Sequence, residues 1–214
     1  MKVLAVEQGS PEWHDARLGI PTASQFDRLI TPKTRKPSAS ATGYRNELLA
    51  AWLLGYPIEF GSSGWMDRGT SMEAEARRWY EFDRDTDVET PGFILRDDGK
   101  VGGSPDGLVG SDGGLEIKCL AVQNHVGYLV GDDPDYIGQV QGYMYLTGRQ
   151  WWDVLLYNPD LPKVVKRVER DEEYITALAK ALESFVEDLD RCKERLREHK
   201  RPPPKKPEPF WAPY

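Results

Sequence analysis

The segment GGSPDGLVGSDGGLEIKC contains three residues whose types and spacing suit chemistry on a phosphate: Asp106, Glu116 and Lys118. In an extended strand, residues two apart share a face. Glu116 and Lys118 should therefore point together, while Leu115, Ile117 and Cys119 point the other way into a core. A hairpin turning through Gly110 to Gly114 would return the Asp106 carboxylate to the same spot. Two carboxylates and an ammonium on one sheet face suit a hard divalent cation held beside a phosphate. Mg²⁺ prefers oxygen ligands, retains several waters and needs only one or two protein carboxylates. Such an ion polarises a phosphoryl oxygen and lowers the pKa of a bound water. Lys118 could orient that water or offset charge in the transition state. Taken alone, the same residues also fit a hairpin with an ordinary surface Glu–Lys pair, because Pro-Asp-Gly is itself a turn signal.

The elements that must position these residues can be read around them. Ser10 and Pro11 open a short helix over Trp13 to Leu18. Thr22 opens a second, through Ile30. Thr31 to Thr42 is rich in Pro, Ser, Thr and Lys and reads as an exposed loop. Helical apolar spacing follows over Tyr44 to Leu54. Gly61 to Gly69 reads as a loop, and Thr70 to Phe82 as a helix with Met72, Ala76, Trp79 and Tyr80 on one face. Strands are expected over Gly92 to Arg96, Val101 to Ser104, Leu115 to Leu120, Trp152 to Tyr157 and Val164 to Val168. Tyr136 to Leu146 is a helix. Asp171 to His199 is a long amphipathic one, with Tyr174, Leu178, Leu182, Phe185 and Leu189 on its apolar side. The expected whole is an α/β domain over 1–200 with a central mixed sheet flanked by helices, followed by a proline-rich tail over 201–214 that should be extended.

Composition narrows the class. A chain of 214 residues is long enough to bury a real core. It contains no apolar run of about 18 residues, so no membrane span is expected. The first residues lack the basic flank and apolar stretch of a signal peptide. Two cysteines, Cys119 and Cys192, are too few for a disulfide scaffold, and a reduced, cytoplasmic setting is expected. The net charge of −7 argues against a protein that coats nucleic acid, yet leaves room for local grip. Arg28, Lys33, Arg35, Lys36 and Arg45 lie in a stretch without an acid, and Arg191 to Lys206 is also mostly basic. Either run could be a solvated face or a nucleic-acid contact. Trp13 and Trp65 sit in polar contexts where a ring could stack on a base.

The pairing of SPDG with LEIKC resembles the signature of PD-(D/E)XK nucleases, and in particular the lambda exonuclease group of phage recombination alkaline exonucleases with a YqaJ-type domain. The likeness extends in order through EQGSPEWHDARLGIPTASQFDRLI, RGTSMEAEARRWYEF, YIGQVQGYMYLTGRQWWDVLLYNP and VERDEEYITAL, roughly Val6 to Leu189. It implies a restriction-endonuclease-like fold. By position it makes Asp106 and Glu116 metal ligands, with the Ile117 carbonyl a third contact and Glu73 completing the acidic shell. Lys118 becomes the catalytic lysine and Gln139 the family glutamine, with Tyr143 one turn later on its face. Arg17, Ser24 and Ser104 match positions that hold the terminal 5′ phosphate, a guanidinium fork with two hydroxyls being a sound phosphate cradle. Glu73 has a rival reading as the far end of a Thr70–Glu73 capping box.

The resemblance further implies Mg²⁺, replaceable by Mn²⁺, and 5′ to 3′ digestion of double-stranded DNA ends to mononucleotides, leaving a 3′ overhang. It also implies a ring-shaped homotrimer and a single-strand annealing protein as partner. Two other readings compete. A site-specific endonuclease would share the metal cluster but needs no pocket for an end. A DNA-binding module without catalysis would not need Asp106, Glu116 and Lys118 together.

Overall fold

The structure is a computed structural model. It describes residues 1–58, 64–132 and 136–202, with backbone alone for 64–71. Strand β1 (Lys2–Leu4) leads to helix α1 (Pro11–Arg17). As expected, Ser10 caps α1, its side chain accepting from the Trp13 N–H at 3.2 Å. The expected second helix is a short 3-10 segment, Ala23–Arg28, and Thr22 makes no side-chain cap there. Helix α2 (Ala41–Leu54) ends at Gly55, whose φ of 78° places it in the left-handed region that closes helices.

Helix α3 (Gly64–Arg84) begins well before Thr70. Most of the expected Gly61–Gly69 loop is therefore helical, and residues 59–63 lie outside the described residues. Once its buried second half is anchored, a helix extends at one hydrogen bond per residue, which two glycines do not prevent. Thr70 sits inside α3, so the capping-box reading of Glu73 is lost.

The strands form two sheets where one was expected. Strands β1, β3 (Phe93–Leu95) and β4 (Gly102–Gly103) make a small antiparallel sheet. The larger sheet has the order β2-β5-β6-β7-β8, from Val88–Glu89, Gly107–Val109, Gly113–Cys119, Trp151–Tyr157 and Val164–Glu169. Strands β6 and β7 are parallel, with Glu116 opposite Val154 and Lys118 opposite Leu156, and the other pairs are antiparallel. The chain switches sheets between Gly103 and Gly107, and Asp106 lies in that switch. β1, β2 and helix α4 (Val122–Leu129) were not anticipated; the two strands are too short for a period to show.

A parallel pair needs a long crossover. Here it carries α4 and α5 (Ile137–Thr147) and lays α5 over the sheet face bearing Glu116. That face, with α5 and α6 (Glu172–Leu196), forms the main core around Phe26, Tyr143, Trp152, Val154 and Leu178. The opposite face packs Leu115, Ile117 and Leu155 against Ala76 and Tyr80 of α3. Gly113 and Gly114 have no Cβ because the rings of Trp151 and Trp152 fill that space.

Most of the basic run is neutralised internally. Arg28 binds Glu47, Arg35 binds Asp171 and Glu173, and Arg45 binds Asp188. Lys33 and Lys36 of that run stay exposed, without such a pair among the described residues. In the second run Arg191 pairs with Asp188 and Arg197 with Glu194, while residues 203–214 lie outside the described residues.

Helix α3 is tied to β7 by polar bonds as well as packing. The Tyr80 hydroxyl donates to the buried Asp153 carboxylate at 2.7 Å. Arg167 binds the same carboxylate in bidentate fashion at 2.8 and 2.9 Å and stacks on Trp151 at 3.7 Å. Tyr157 donates to Glu75 at 2.7 Å. Asp153→Ala should therefore destabilise the protein by about 3 kcal/mol, because three bonds to a charged group vanish but half-exposed Arg167 can be rehydrated. Urea unfolding measures this, and a loss below about 1 kcal/mol would show that the Asp153 bonds do not hold α3.

Candidate active site

The β5–β6 ladder stops at Gly107 opposite Leu115. One residue earlier the backbone turns away, and the Asp106 side chain takes over the pairing. Its Oδ2 accepts from the Ile117 N–H at 2.6 Å, which fixes the carboxylate at the middle of β6. Glu116 and Lys118 share a face as their spacing predicts, and Lys118 Nζ donates to Glu116 Oε1 at 2.6 Å. Both carboxylates are buried, with Asp106 8% and Glu116 3% exposed.

Helix α5 closes over this pair. Gln139 Nε2 donates to Glu116 Oε1 at 2.6 Å, and Lys118 donates to Gln139 Oε1 at 3.1 Å. The Tyr136 ring lies 4.8 Å from the Lys118 ammonium. Gln139 also donates to the Tyr143 hydroxyl at 2.9 Å, and that hydroxyl donates to the Ser104 carbonyl at 3.0 Å. The Ser104 Oγ in turn accepts from the Trp13 indole at 2.6 Å. A continuous set of bonds thus joins α1, the sheet switch, α5 and β6.

Trp13 is buried and held by Ser104, which corrects its reading as a base-stacking residue: the indole N–H needs an acceptor and finds one inside. Trp65 falls where side chains are not described. The Arg17 guanidinium stacks on Trp13 at 4.1 Å and makes no ion pair among the described residues. Burial works against its charge and lowers its pKa. Ser24 is exposed and sits 3.5 Å from the Thr22 hydroxyl. A parallel bridge between Thr22 and Gly102 brings its segment beside the strand that leads to Ser104. Arg17 and Ser104 are thus joined through Trp13, and Ser24 stands on the neighbouring segment.

Electrostatics mark the centre. Burial, and then the Glu116 charge, hold the Asp106 carboxyl well above its ordinary range, against the pull of the Ile117 N–H. Burial also raises Glu116, opposed mainly by Lys118. Glu73, on α3, is raised by burial and opposed by Arg77 and Lys118, and its charge is felt by both other carboxyls. For Lys118, burial opposes the ammonium but Glu116 outweighs it, so its pKa rises and the side chain stays charged.

Glu116 Oε2 is buried without a hydrogen-bond partner among the described residues. An unsatisfied carboxylate oxygen beside a second buried carboxyl fits a divalent cation, which would supply the missing partner and relieve the repulsion. The carboxylates are nonetheless drawn toward protein donors, and no three His, Cys, Asp or Glu among the described residues are already gathered around one point. Metal binding therefore requires side-chain adjustment. The packing of Trp13 between Arg17 and Ser104 was not legible in the sequence, where its only signal was its distance of four residues from Arg17.

A mixed sheet flanked by helices, with Asp106 at the mouth of a hairpin and Glu116-x-Lys118 on the returning strand, defines the PD-(D/E)XK nuclease class. The family follows from comparison with known proteins: the chain belongs to the YqaJ-like viral recombinase domain family, whose model matches residues 12–150. It is similar to an alkaline exonuclease from Laribacter hongkongensis, with 34% identity, a TM-score of 0.77, and coverage of 88% of this chain and 97% of that one. The structure of the same exonuclease in complex with dAMP matches at 35% identity with equal coverage and TM-score. A phage-related exonuclease from Haemophilus somnus shares the fold at 16% identity, with a TM-score of 0.65 over 83% of this chain and 96% of that one. Among curated proteins none matches the sequence.

The raised Asp106 pKa has a consequence for stability without metal. A carboxyl with a folded pKa above its unfolded value adds stability in acid and loses it as pH rises through the folded pKa. Asp106→Asn removes that loss. In EDTA its advantage over wild type should be absent near pH 4 and grow toward pH 8. Thermal melts across pH test this; a variant less stable than wild type at pH 8 would contradict the buried repulsion.

Proposed function

We propose that the protein is a Mg²⁺-dependent exonuclease that degrades one strand of linear double-stranded DNA from 5′ to 3′, releases mononucleotides and leaves a 3′ overhang for recombination by strand annealing. The observation that carries this reading is the buried Asp106–Glu116 pair under the Lys118 ammonium, with Glu116 Oε2 lacking a partner. The dAMP complex of the Laribacter hongkongensis relative supports a mononucleotide product. The homotrimeric ring, the annealing partner, the use of Mn²⁺ in place of Mg²⁺ and a cytoplasmic setting belong to the same proposal and rest on the family resemblance. No helix among the described residues is long and apolar enough to cross a membrane.

Asp106 and Glu116 would hold the ion, with the Ile117 carbonyl and Glu73 as further contacts. When bound, Mg²⁺ supplies Lewis acidity and an acidified water. Lys118 enters the reaction as an ammonium, so it donates a hydrogen bond at Nζ and offsets developing negative charge. Gln139 holds both Lys118 Nζ and Glu116 Oε1 and so fixes their separation. Arg17, braced on Trp13 and without an ion pair among the described residues, would grip the terminal 5′ phosphate with the Ser104 and Ser24 hydroxyls.

Lys118→Ala should reduce turnover on the order of a hundredfold or more with little change in the Mg²⁺ concentration needed. Normal turnover at saturating Mg²⁺ would remove Lys118 from the chemistry. Asp106→Ala and Glu116→Ala should abolish cleavage and spare DNA binding, which a gel-shift assay in Ca²⁺ reads.

Polarity and end dependence are tested with linear duplexes bearing a 5′ phosphate or a 5′ hydroxyl, and with closed circles, in Mg²⁺. Phosphorylated ends should be degraded faster, and the circle should survive. Arg17→Ala should shrink the preference about tenfold to a hundredfold, the weight of one hydrogen bond to a charged group. Rapid cutting of the circle would move the assignment to an endonuclease.

A further inference from the structure

Beside the carboxylates lies a cavity of about 300 Å³, which shares no residue with the Arg17–Trp13–Ser104 group. Its walls include Glu7, Gln8, Glu73, Arg77, Thr90 and Asp106. It is a built feature. Gly92, at φ +75°, lets the turn after Thr90 press against the N-terminal segment, where a Cβ would meet the Leu4 carbonyl at 2.5 Å and the Val6 carbonyl at 2.6 Å. Glu7 and Gln8 are thereby held in its wall.

The cation in this cavity is Arg77, one helical turn after Glu73 on α3 and thus on the same face. Its Nε is buried and has no hydrogen-bond acceptor among the described residues. Arg77 makes no hydrogen bond or ion pair among the described residues. It acts on Glu73 only through its charge. A guanidinium N–H withdrawn from water without an acceptor is unfavourable, more so than a neutral donor. Each of the described arginines Arg28, Arg35, Arg45, Arg96, Arg167 and Arg170 has found a carboxylate. Of the others without one among the described residues, Arg78, Arg195 and Arg201 are exposed to water and Arg149 donates to the backbone carbonyls of Val109, Gly110 and Gly113; Arg17 stacks on Trp13, which holds Ser104, and Arg77 lies in the cavity that Asp106 lines.

We infer that the Arg77 cavity is a second phosphate seat, which takes a backbone phosphate of the strand being digested on the 3′ side of the scissile bond. The inference rests on the exonuclease reading above. If the terminal phosphate sits at Arg17 and the scissile phosphate at Asp106, Glu116 and Lys118, the retained strand must leave the carboxylates on a side other than the cradle. The Arg77 cavity opens there with a guanidinium fork suited to phosphate oxygens. The Glu73 and Asp106 charges on its wall are those the divalent cation would offset. Two seats flanking the reaction would hold the strand from both sides of the bond that breaks.

The test is the salt dependence of DNA binding in Ca²⁺, using the full chain and a 5′-phosphorylated duplex. Removing one cation from a phosphate should lower the slope of log affinity against log salt by about 0.7–0.9. Arg77→Gln should show that drop, with affinity at low salt reduced roughly tenfold. Arg77→Lys should keep most of the slope, because a point charge still releases a counterion, and serves in its place if the glutamine variant does not fold. The Mg²⁺ concentration for half-maximal cleavage should not move. An unchanged slope together with a raised Mg²⁺ requirement would overturn the seat and make Arg77 a positioning residue for Glu73. An unchanged slope and unchanged Mg²⁺ requirement would overturn it as well. Binding is read independently of cleavage, so failure of the exonuclease assignment in the end-preference assay would appear separately from failure of the seat.

Discussion

Two carboxylates of like charge are held out of water within reach of a single lysine, and much of the molecule's architecture serves that arrangement. Asp106 and Glu116 both resist ionisation because burial penalises their charge, with the Glu116 charge adding to the effect on Asp106 and the Glu73 charge to that on Glu116. An isolated domain would be more stable with apolar residues there. The pair persists because the surroundings over-determine it: a backbone N–H fixes Asp106, and an ammonium and an amide fix Glu116. One Glu116 oxygen is still left unsatisfied. The buried charge and the unsatisfied oxygen are what the proposed cation would compensate.

Topology makes this possible. A chain that continued in one sheet would place Asp106 in a ladder, with its side chain committed to one face. The switch from the small sheet to the large one frees Asp106 to cover the end of β5–β6. The parallel β6–β7 pair obliges the chain to make a long crossover, and that crossover delivers Gln139 and Tyr143. On the other face, α3 brings Glu73 and Arg77. Its register is held by Tyr80 on Asp153 and by Glu75 under Tyr157, bonds remote from the reacting centre that still decide where Glu73 stands.

The distribution of charge follows the same economy. Arginines that need no substrate are closed off by carboxylates, as Arg28 is by Glu47 and Arg45 by Asp188. The acidic net charge is therefore compatible with a nuclease, because grip on DNA depends on a few cations left available at chosen places. The bonds from Trp13 through Ser104, Tyr143 and Gln139 to Glu116 connect the proposed end-binding cradle physically to the carboxylates.

Sequence alone determined the chemistry and the local elements. The alternation around Glu116 and Lys118, the hairpin turn that begins at Gly110, the Ser10 cap and the long apolar stripe of α6 are signals of short range, and the structure agrees with them. Resemblance in segment order also made the nuclease class legible. What the sequence could not show depends on contacts between distant residues. Whether Thr70 begins a helix is decided by how far α3 extends. Whether the basic run faces DNA is decided by where Glu47, Asp171 and Asp188 fall in space. The short strands β1 and β2 exist only because their partners are brought to them. That Trp13 braces Ser104, and that the Arg77 Nε is left without an acceptor beside Glu73, are facts of packing, since a side chain's hydrogen-bond partners are fixed only when the whole chain has closed around it.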